Sequence, residues 1–368
     1  MSDFGKKQWW PNNFHCHGEM FLEFWHDYLA SGKKRFLYII SKGFDSRMNA
    51  AISQICRVKN DSEINCLVLN FDDEVNSPQL DHVDEANKNL LELYKILGKE
   101  KIQERKLEIS SEGQKIRGRR ATELFPDEES LGDCTDVVVD ISAMPRSTYF
   151  PLINQLIKLC HKRNLHVVVA ENFWSDAQIR AEELDENADY MFTFSGEMQL
   201  VVSNELPVVW FPVFGEGKED QLRIIYKTIQ NNLADQTIEI CPILPFPAKN
   251  PRRVDDIIAE YHQLLIEFGI EPRNIIYADE QNPFDVYRQI REASILYDEA
   301  FGPLGGCRKV VSALSSKLLS LGALISAHEG SMAVAYVESH GYIVRSDNTY
   351  GEVADELHEI WLVGEPYE

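Results

Sequence analysis

The sequence lacks the features of a secreted or membrane-embedded protein. Its seven cysteines lie far apart and form no CxxC pair, so we expect reduced thiols and no disulfide framework. No segment approaches the about 18 consecutive apolar residues that a membrane-spanning helix needs. The amino-terminal residues MSDFGKKQWWPNN contain no apolar core of a secretory signal. These absences predict a cytoplasmic protein without a membrane partner.

Positive charge is also scarce. The 368 residues include 59 acidic and 37 basic side chains, which gives a net charge of -22. Such a field repels nucleic-acid backbones and excludes general nucleic-acid binding, but it is compatible with a basic protein partner or with one small anion held by a local cluster of cations. With 44% hydrophobic and 26% charged residues the composition is that of a globular protein, and the length suits two domains of roughly 150 residues each.

Common catalytic motifs are missing as well. GxSxG, HExxH, GxGxxG and GxxxxGK[ST] do not occur, and the histidines fall in no pattern from which a Ser-His-Asp triad could be assembled. The sequence therefore indicates a fold class, while no motif of this kind indicates a reaction.

Short β-branched runs alternate with longer helical runs from residue 36 onward. Strands are predicted at 36–40, 64–71, 105–109, 136–141, 165–170, 190–194, 208–213, 238–244, 274–278, 310–314 and 334–337. Helices are predicted at 45–58, 80–97, 145–163, 217–233, 251–268, 282–296 and 316–328. Strands that alternate with helices of about ten or more residues indicate βαβ units, and near-continuous apolar strands are typical of parallel sheets. The predicted fold class is α/β, with two Rossmann-like, doubly wound, mostly parallel sheets.

The predicted organisation has three parts. An aromatic-rich docking segment at 1–34 precedes a Rossmann-like domain at 35–200 and a second Rossmann-like domain at 201–368. One stretch, 310–328, is ambiguous because its apolar residues also fit a single long helix. We favour a strand followed by a helix there, since the alternation requires a strand after the preceding helix.

Polar side chains collect directly after the predicted strands. In an open α/β sheet, ligands bind beyond the carboxyl ends of the strands, where the strand order reverses. The candidate ligand-binding residues are Ser41, Lys42, Gly43, Asp45, Ser46, Arg47, Asp140, Ser142, Arg146, Asp279, Glu280, Ser315, Ser316 and Lys317. Strand-to-helix turns are also polar when they only cap helices, so a capped turn without a ligand is the alternative at each position.

The turn after the first predicted strand is the most informative. Gly43 permits a tight turn and the close approach of a ligand to the backbone. Asp45 or Ser46 can cap the next helix, whose N–H groups favour an anion. Arg47 can add a guanidinium suited to phosphate.

This stretch, SKGFDS, resembles the SGGxDS motif of the PP-loop in ATP pyrophosphatases, with Lys42 in place of the first glycine. In that family the loop holds the pyrophosphate of ATP while a substrate is adenylated. The resemblance implies ATP, or another nucleotide, with Mg²⁺ as the ligand. By position it implies phosphate-side roles for Ser41, Gly43, Asp45 and Ser46.

The second half supplies two further candidates. The glycine-rich stretch 302–306 together with Ser315–Lys317 would offer donors and a cation to a phosphate or carboxylate, unless these residues form a solvated helix stripe. Asp279–Glu280 would bind ribose hydroxyls or a hydrated cation, unless they cap the helix at 282–296. In the first half, Asp140 and Arg146 are either ligand contacts or an ion pair across their turn.

Two other clusters are assigned no ligand. His15, Cys16 and His17 are adjacent or nearly so, and His17 and His26 are nine residues apart, a poor spacing on one helix, so no metal site is predicted. The basic run at 115–120 could face an anionic ligand or an acidic partner, but a solvated helix face explains it as well.

Two functional hypotheses follow. In the first, the protein binds a nucleotide or nucleotide-like phosphate at strand ends and, if it is catalytic, is an ATP-dependent PP-loop-like enzyme in which Lys42 and Arg47 stabilise developing charge. In the second, it is a non-catalytic nucleotide sensor or an assembly subunit of a multi-protein bacterial system.

Overall fold

The computed structural model describes residues 8–72, 83–108, 116–172, 179–196, 206–233, 237–344 and 355–367. The strands are β1 (Phe14–His17), β2 (Arg35–Ser41), β3 (Glu63–Asp72), β4 (Ile102–Glu108), β5 (Asp136–Asp140), β6 (Asn164–Glu171), β7 (Ile179–Leu184), β8 (Asp189–Tyr190), β9 (Val208–Val213), β10 (Ile238–Ile240), β11 (Ile243–Pro245), β12 (Ile276–Ala278), β13 (Arg308–Ala313), β14 (Ala333–Tyr336), β15 (Ser339–Val344) and β16 (Glu356–Val363). The helices are α1 (Glu19–Ala30), α2 (Ala50–Val58), α3 (Val83–Leu97), α4 (Ile116–Glu123), α5 (Arg146–Leu159), α6 (Glu219–Asn231), α7 (Arg253–Glu260), α8 (His262–Glu267), α9 (Pro283–Phe301) and α10 (Lys317–Gly330).

The chain divides into two compact units, each built around one sheet. The first unit comprises Pro11–Ile179 and Gly341–Glu368, and the second comprises Met1–Trp10 and Arg180–His340. These units differ from the consecutive domains predicted from the sequence, because the carboxyl-terminal segment returns to the first sheet as β16. No helix among the described residues is long and apolar enough to cross a bilayer.

The sheet of the first unit has the strand order β1-β16-β6-β5-β2-β3-β4. Strands β2 to β6 are parallel, whereas β16 is antiparallel to both β6 and β1. The chain builds outward from β2 through β3 to β4, and then continues on the other side of β2 with β5 and β6. The topological switch point therefore lies between β2 and β5.

The sheet of the second unit repeats this arrangement. Its order is β12-β11-β9-β13-β14-β8, with β10 also paired to β9, and only the β14–β8 pair is antiparallel. The switch point lies between β9 and β13. The α/β class with two mostly parallel sheets, predicted from the alternation, is confirmed, and the ambiguous stretch is a strand (β13) followed by a helix (α10).

The amino-terminal aromatic segment does not behave as one docking element. Phe21 and Trp25 on α1 are fully buried in the apolar core of the first unit. Trp9 belongs to the second unit, where its ring packs edge-on against Tyr287 at 6.0 Å and against His328 at 5.9 Å between centroids. The prediction that 1–34 forms a single docking segment is therefore corrected.

Three predicted elements differ from the structure in extent. The strand predicted at 238–244 is divided into β10 and β11 around Pro242, which has no N–H to donate to a sheet. The helix predicted at 251–268 is divided into α7 and α8 at Tyr261. The strand predicted at 190–194 is reduced to the two residues of β8.

Candidate functional site

Two loops meet at the switch point of the first unit. The loop Lys42–Arg47 follows β2, and the loop Ile141–Arg146 follows β5; we call the space between them the first crevice. A Cβ added to Gly43 would lie 3.1 Å from Cβ and 3.3 Å from the carbonyl oxygen of Ala143, so the loops touch at this glycine. The structure therefore brings together two of the strand ends that the sequence nominated.

Helix α3 holds the first loop in place through an asparagine. The side-chain amide of Asn89 donates to the carbonyl oxygens of Gly43 and Asp45, each at 2.9 Å. Asn49, at the start of α2, donates in turn to the carbonyl oxygen of Asn89 at 2.8 Å. Because these bonds restrain backbone atoms, the loop conformation is set independently of any ligand.

Asp45 and Arg47 are engaged with each other. The Arg47 guanidinium donates to the Asp45 carboxylate through Nε at 2.9 Å and Nη2 at 2.6 Å, in a bidentate pair whose Arg47 side chain is only 3% exposed. The same carboxylate caps the helical turn by accepting from the Arg47 backbone N–H at 3.0 Å. The Asp45 carboxylate thus occupies the position at the start of this turn that a bound phosphate would need.

Asp140 and Ser142 are buried scaffold residues of the β5 loop. Asp140 is inaccessible and accepts from the Tyr38 hydroxyl at 2.6 Å and from the Ser142 N–H at 3.0 Å. Burial, reinforced by the Asp140 charge, raises the pKa of Tyr38 well above its usual value, so Tyr38 stays a donor. The Ser142 hydroxyl accepts from the Ala170 N–H at 2.9 Å.

The end of α5 at the first crevice is favourable to an anion. Its preceding residue, Pro145, provides no side-chain cap, and its first turn contains no acidic residue. The helix begins with Arg146, which is partly exposed. Lys42, in the loop after β2, extends its ammonium to the amide oxygen of Asn87 on α3 at 2.8 Å. A helix terminus that begins with a cation attracts negative charge.

A buried arginine of the basic run at 115–120 lies near the same edge. Arg117 on α4 is 1% exposed, with its guanidinium 5.5 Å from the centroid of the Phe71 ring near the end of β3. A Cβ on the neighbouring Gly118 would lie 2.3 Å from the carbonyl oxygen of Ser147, so α4 packs closely on the first turn of α5. Because Arg117 is buried, the described part of the basic run is not one solvated helix face. Arg119 and Arg120, which form exposed pairs with Glu123, do lie on a solvated face.

The remaining candidates of the first loop have contrasting exposure. Ser41 is 1% exposed and lies in β2, whereas Ser46 is exposed at the start of a helical turn. The stretch Ser41–Ser46 thus runs from the end of a strand into a helical turn.

The second unit has a comparable second crevice, between the loop after β9 and Ser315–Lys317 after β13. A Cβ on Gly215 would lie 2.5 Å from the carbonyl oxygen of Leu314 and 2.8 Å from the Cα of Ser315. Ser316 caps α10 by accepting from the Leu319 N–H at 3.3 Å. Here Ser316 has the capping role that was the alternative to ligand binding.

We expect Gly215→Ala to destabilise the second unit by about 1–3 kcal/mol, because the added methyl group would overlap with backbone atoms that cannot rotate away. Urea unfolding measures the difference. Gly302→Ala is the control, since no atom lies within 4 Å of the added Cβ and the φ of Gly302 is negative. Equal stability of the two variants would contradict the close backbone approach.

Asp279 and Glu280 serve the local structure of the second unit. Asp279 accepts from the Gln281 N–H at 2.9 Å and donates its own N–H to Asp285 at 2.8 Å. Glu280 is 1% exposed and pairs with Arg253, which also forms a bidentate pair with Glu216 at 2.7 and 2.9 Å. β12 is separated from β13 by two strands, so these carboxylates do not adjoin Ser315–Lys317.

The predicted combination of 302–306 with Ser315–Lys317 is wrong. The two stretches lie at opposite ends of β13, whose six residues span about 20 Å at about 3.3 Å each. Gly305 and Gly306 instead line a cavity of about 510 Å³ with Lys309, which pairs with Asp298 at 2.6 Å. This cavity lies at the amino end of β13, away from the second crevice.

The histidines His15 and His17 lie on a strand. The prediction of no metal site rested on spacing along a helix, which does not apply to them. His15 and His17 are two residues apart on β1 and share one face of the sheet. Antiparallel pairing adds His358, directly opposite His17, and Glu356 two residues earlier on β16. Burial, and the charge of His17, lower the pKa of His15 to about 4.

Comparisons with known proteins give no family. No family model and no curated protein sequence matches this chain. Among solved structures, a protein of unknown function from Pseudomonas aeruginosa PAO1 is 11% identical, with 81% of this chain and 91% of that chain covered and a TM-score of 0.24. A universal stress protein from Archaeoglobus fulgidus is 10% identical, with 81% and 94% covered and a TM-score of 0.23. At such low scores these likenesses carry no argument about function.

Proposed function

We propose that the first unit binds a nucleotide, or a related phosphate compound, in the first crevice. The observation that carries the proposal is the contact of Gly43 with Ala143, which joins two strand-end loops at the switch point. Open α/β sheets take their ligands at this position. ATP with Mg²⁺ is the first ligand to test, because the PP-loop resemblance of the Lys42–Arg47 loop implies it.

The phosphate is proposed to sit at the start of α5 and not at the start of α2. The Asp45 carboxylate already occupies the α2 side and would repel an anion there. The first turn of α5 has neither a capping side chain nor an acidic residue, and it begins with the cationic Arg146. Lys42, on the opposite loop, is proposed to turn from Asn87 toward the same phosphate.

The hydrogen bonding favours binding over turnover. A general base must reach the proton that it removes. The two carboxylates of the first crevice are both committed: Asp45 to Arg47, and Asp140 to Tyr38 and Ser142. We therefore propose a nucleotide sensor or assembly subunit, and not an adenylating enzyme.

We expect ATP with Mg²⁺ to raise the thermal stability of the full-length protein, since a ligand at about 100 times its Kd contributes about 2.7 kcal/mol. Arg146→Ala and Lys42→Ala should each weaken ATP binding by about 10-fold or more, because each removes a charge-assisted contact worth about 1.5–3 kcal/mol. Isothermal titration calorimetry measures the affinities.

Arg119→Ala is the matched control, because Arg119 is an exposed cation paired with Glu123 on α4. Lys317→Ala tests the second crevice. Loss of ATP binding in Lys317→Ala but not in Arg146→Ala would move the ligand to the second unit and contradict the proposal. Release of AMP and pyrophosphate by the wild-type protein would refute the sensor and support an enzyme.

A further inference from the structure

Four ionisable side chains cluster on one face of the β1–β16 pair. His17 lies opposite His358 in the antiparallel register, with ring centroids 5.0 Å apart. The alternation of side chains along a strand places His15 and Glu356 on this same face. In the antiparallel register of β16 with β6, Glu356 lies opposite Glu171 at the carboxyl end of β6. The cluster therefore lies near the carboxyl ends of the parallel strands of the first sheet.

The polar atoms of the cluster are close enough to share an ion. The Nδ1 atom of His17 is 2.6 Å from Oε1 of Glu356. One ligand atom from each of His17, Glu356 and His358 lies within 4.8 Å of the other two. Ligand atoms about 2.0–2.1 Å from a tetrahedral ion are about 3.3 Å apart, so small side-chain rotations would complete the site.

We propose that His17, Glu356 and His358 bind a divalent transition-metal ion of the Zn²⁺ class, with His15 as a positioning residue. Imidazole nitrogens select this class over Mg²⁺ and Ca²⁺, which take oxygen ligands. Two histidines and one carboxylate are a ligand set of catalytic zinc sites, which keep a fourth position open. The site is independent of the proposed nucleotide function.

His15 orients His358 through the ring nitrogen that faces it. Its Nε2 atom lies 3.0 Å from Nδ1 of His358, and the two rings are nearly parallel, with centroids 5.3 Å apart, as an in-plane hydrogen bond requires. A hydrogen bond at Nδ1 directs Nε2 of His358 toward the metal, as outer-shell partners of metal-bound histidines commonly do.

The surroundings fit this assignment. The side chains of His17 and Glu356 are 40% and 18% exposed, which gives an ion access from solvent. Cys16 lies between the two histidines on β1 and points to the opposite face of the sheet. Coordination by nitrogen and oxygen alone is therefore expected.

The test uses full-length protein treated with a chelator and then titrated with Zn²⁺. We expect one strongly bound ion, and on substitution with Co²⁺ a visible spectrum of tetrahedral or five-coordinate type without a thiolate charge-transfer band. His17→Ala, on the edge strand, should lower the Zn²⁺ affinity by more than about 100-fold. His15→Ala should lower it by about 10–100-fold, the range of outer-shell partners.

His26→Ala is the matched control, since this histidine is 69% exposed on α1 and lies outside the cluster. Glu356→Gln keeps a hydrogen-bond acceptor for His17, so its loss of Zn²⁺ affinity with an unchanged circular dichroism spectrum supports the site and not a folding defect. Absence of Zn²⁺ binding, wild-type affinity in His17→Ala, or a thiolate band with Co²⁺ would each overturn the proposal.

Discussion

We expect His166→Gln to lower the free energy of unfolding of the first unit by about 3–5 kcal/mol near pH 6, the cost of breaking a buried ion pair on one side. His166 is inaccessible and lies between two inaccessible carboxylates, Glu359 at 2.7 Å and Asp136 at 3.5 Å. Removal of the imidazolium leaves two negative charges buried without their cation. The added uptake of protons by these carboxylates would recover only part of this loss.

The effect should depend on pH. Burial lowers the pKa of His166, but the adjacent carboxylates of Glu359 and Asp136 outweigh it and raise this pKa from 6.5 to about 9. Because the folded-state pKa is the higher one, the stabilisation is complete below about pH 6.5 and is lost as the pH rises toward 9. The stability difference between wild type and His166→Gln should therefore shrink over this interval.

Urea unfolding followed by tryptophan fluorescence measures the difference, since the rings of Trp25 and Trp361 pack against His166 at 5.4 and 4.6 Å. His161→Gln is the control, because that histidine is 57% exposed and its contact with Glu128 is a surface pair. A pH-independent difference, or an equal effect of the two substitutions, would show that His166 is not charged in the folded protein.

Local patterns were sufficient to predict most of the fold. The apolar runs of β2, β3, β5, β6, β9 and β13 and the helices behind them are visible in the sequence, because a buried parallel strand and an amphipathic helix have different periodicities. The two crevices follow from the same patterns, since the carboxyl ends of the central strands determine where the loops meet. β16 was not predicted, because its place in the first sheet depends on pairing with β6, almost two hundred residues earlier.

The roles of individual polar residues could not be predicted from the sequence. Asp45 and Arg47 were both nominated as ligand contacts, but two residues apart in a helical turn they bind each other. His15 and His17 were dismissed on spacing along the chain, and their partners on β16 are too distant in sequence to be found that way. The folded geometry, local for Asp45 and Arg47 and long-range for the histidines, decides whether such groups meet a ligand or a neighbour, and residue type alone does not.

The second large effect is expected for Asp45→Ala, which should cost about 3–5 kcal/mol of unfolding free energy. The substitution removes the bidentate partner of the buried Arg47 guanidinium together with the cap of the helical turn, itself worth about 1 kcal/mol. The variant would also lose ATP affinity through disorder of the loop. Asp45→Ala alone therefore cannot assign a ligand contact to this residue.

The double variant Asp45→Asn with Arg47→Met separates the two roles. Asparagine retains the cap, and removal of both charges avoids leaving the Arg47 guanidinium buried without the Asp45 carboxylate, so the double variant should be more stable than Asp45→Ala by about 2 kcal/mol or more. Because the proposed phosphate contacts are Lys42 and the start of α5, the double variant should keep ATP affinity within a few-fold. Urea unfolding and calorimetry measure these quantities; a stable double variant without ATP binding would place the Asp45–Arg47 pair on the ligand and contradict its assignment to the loop.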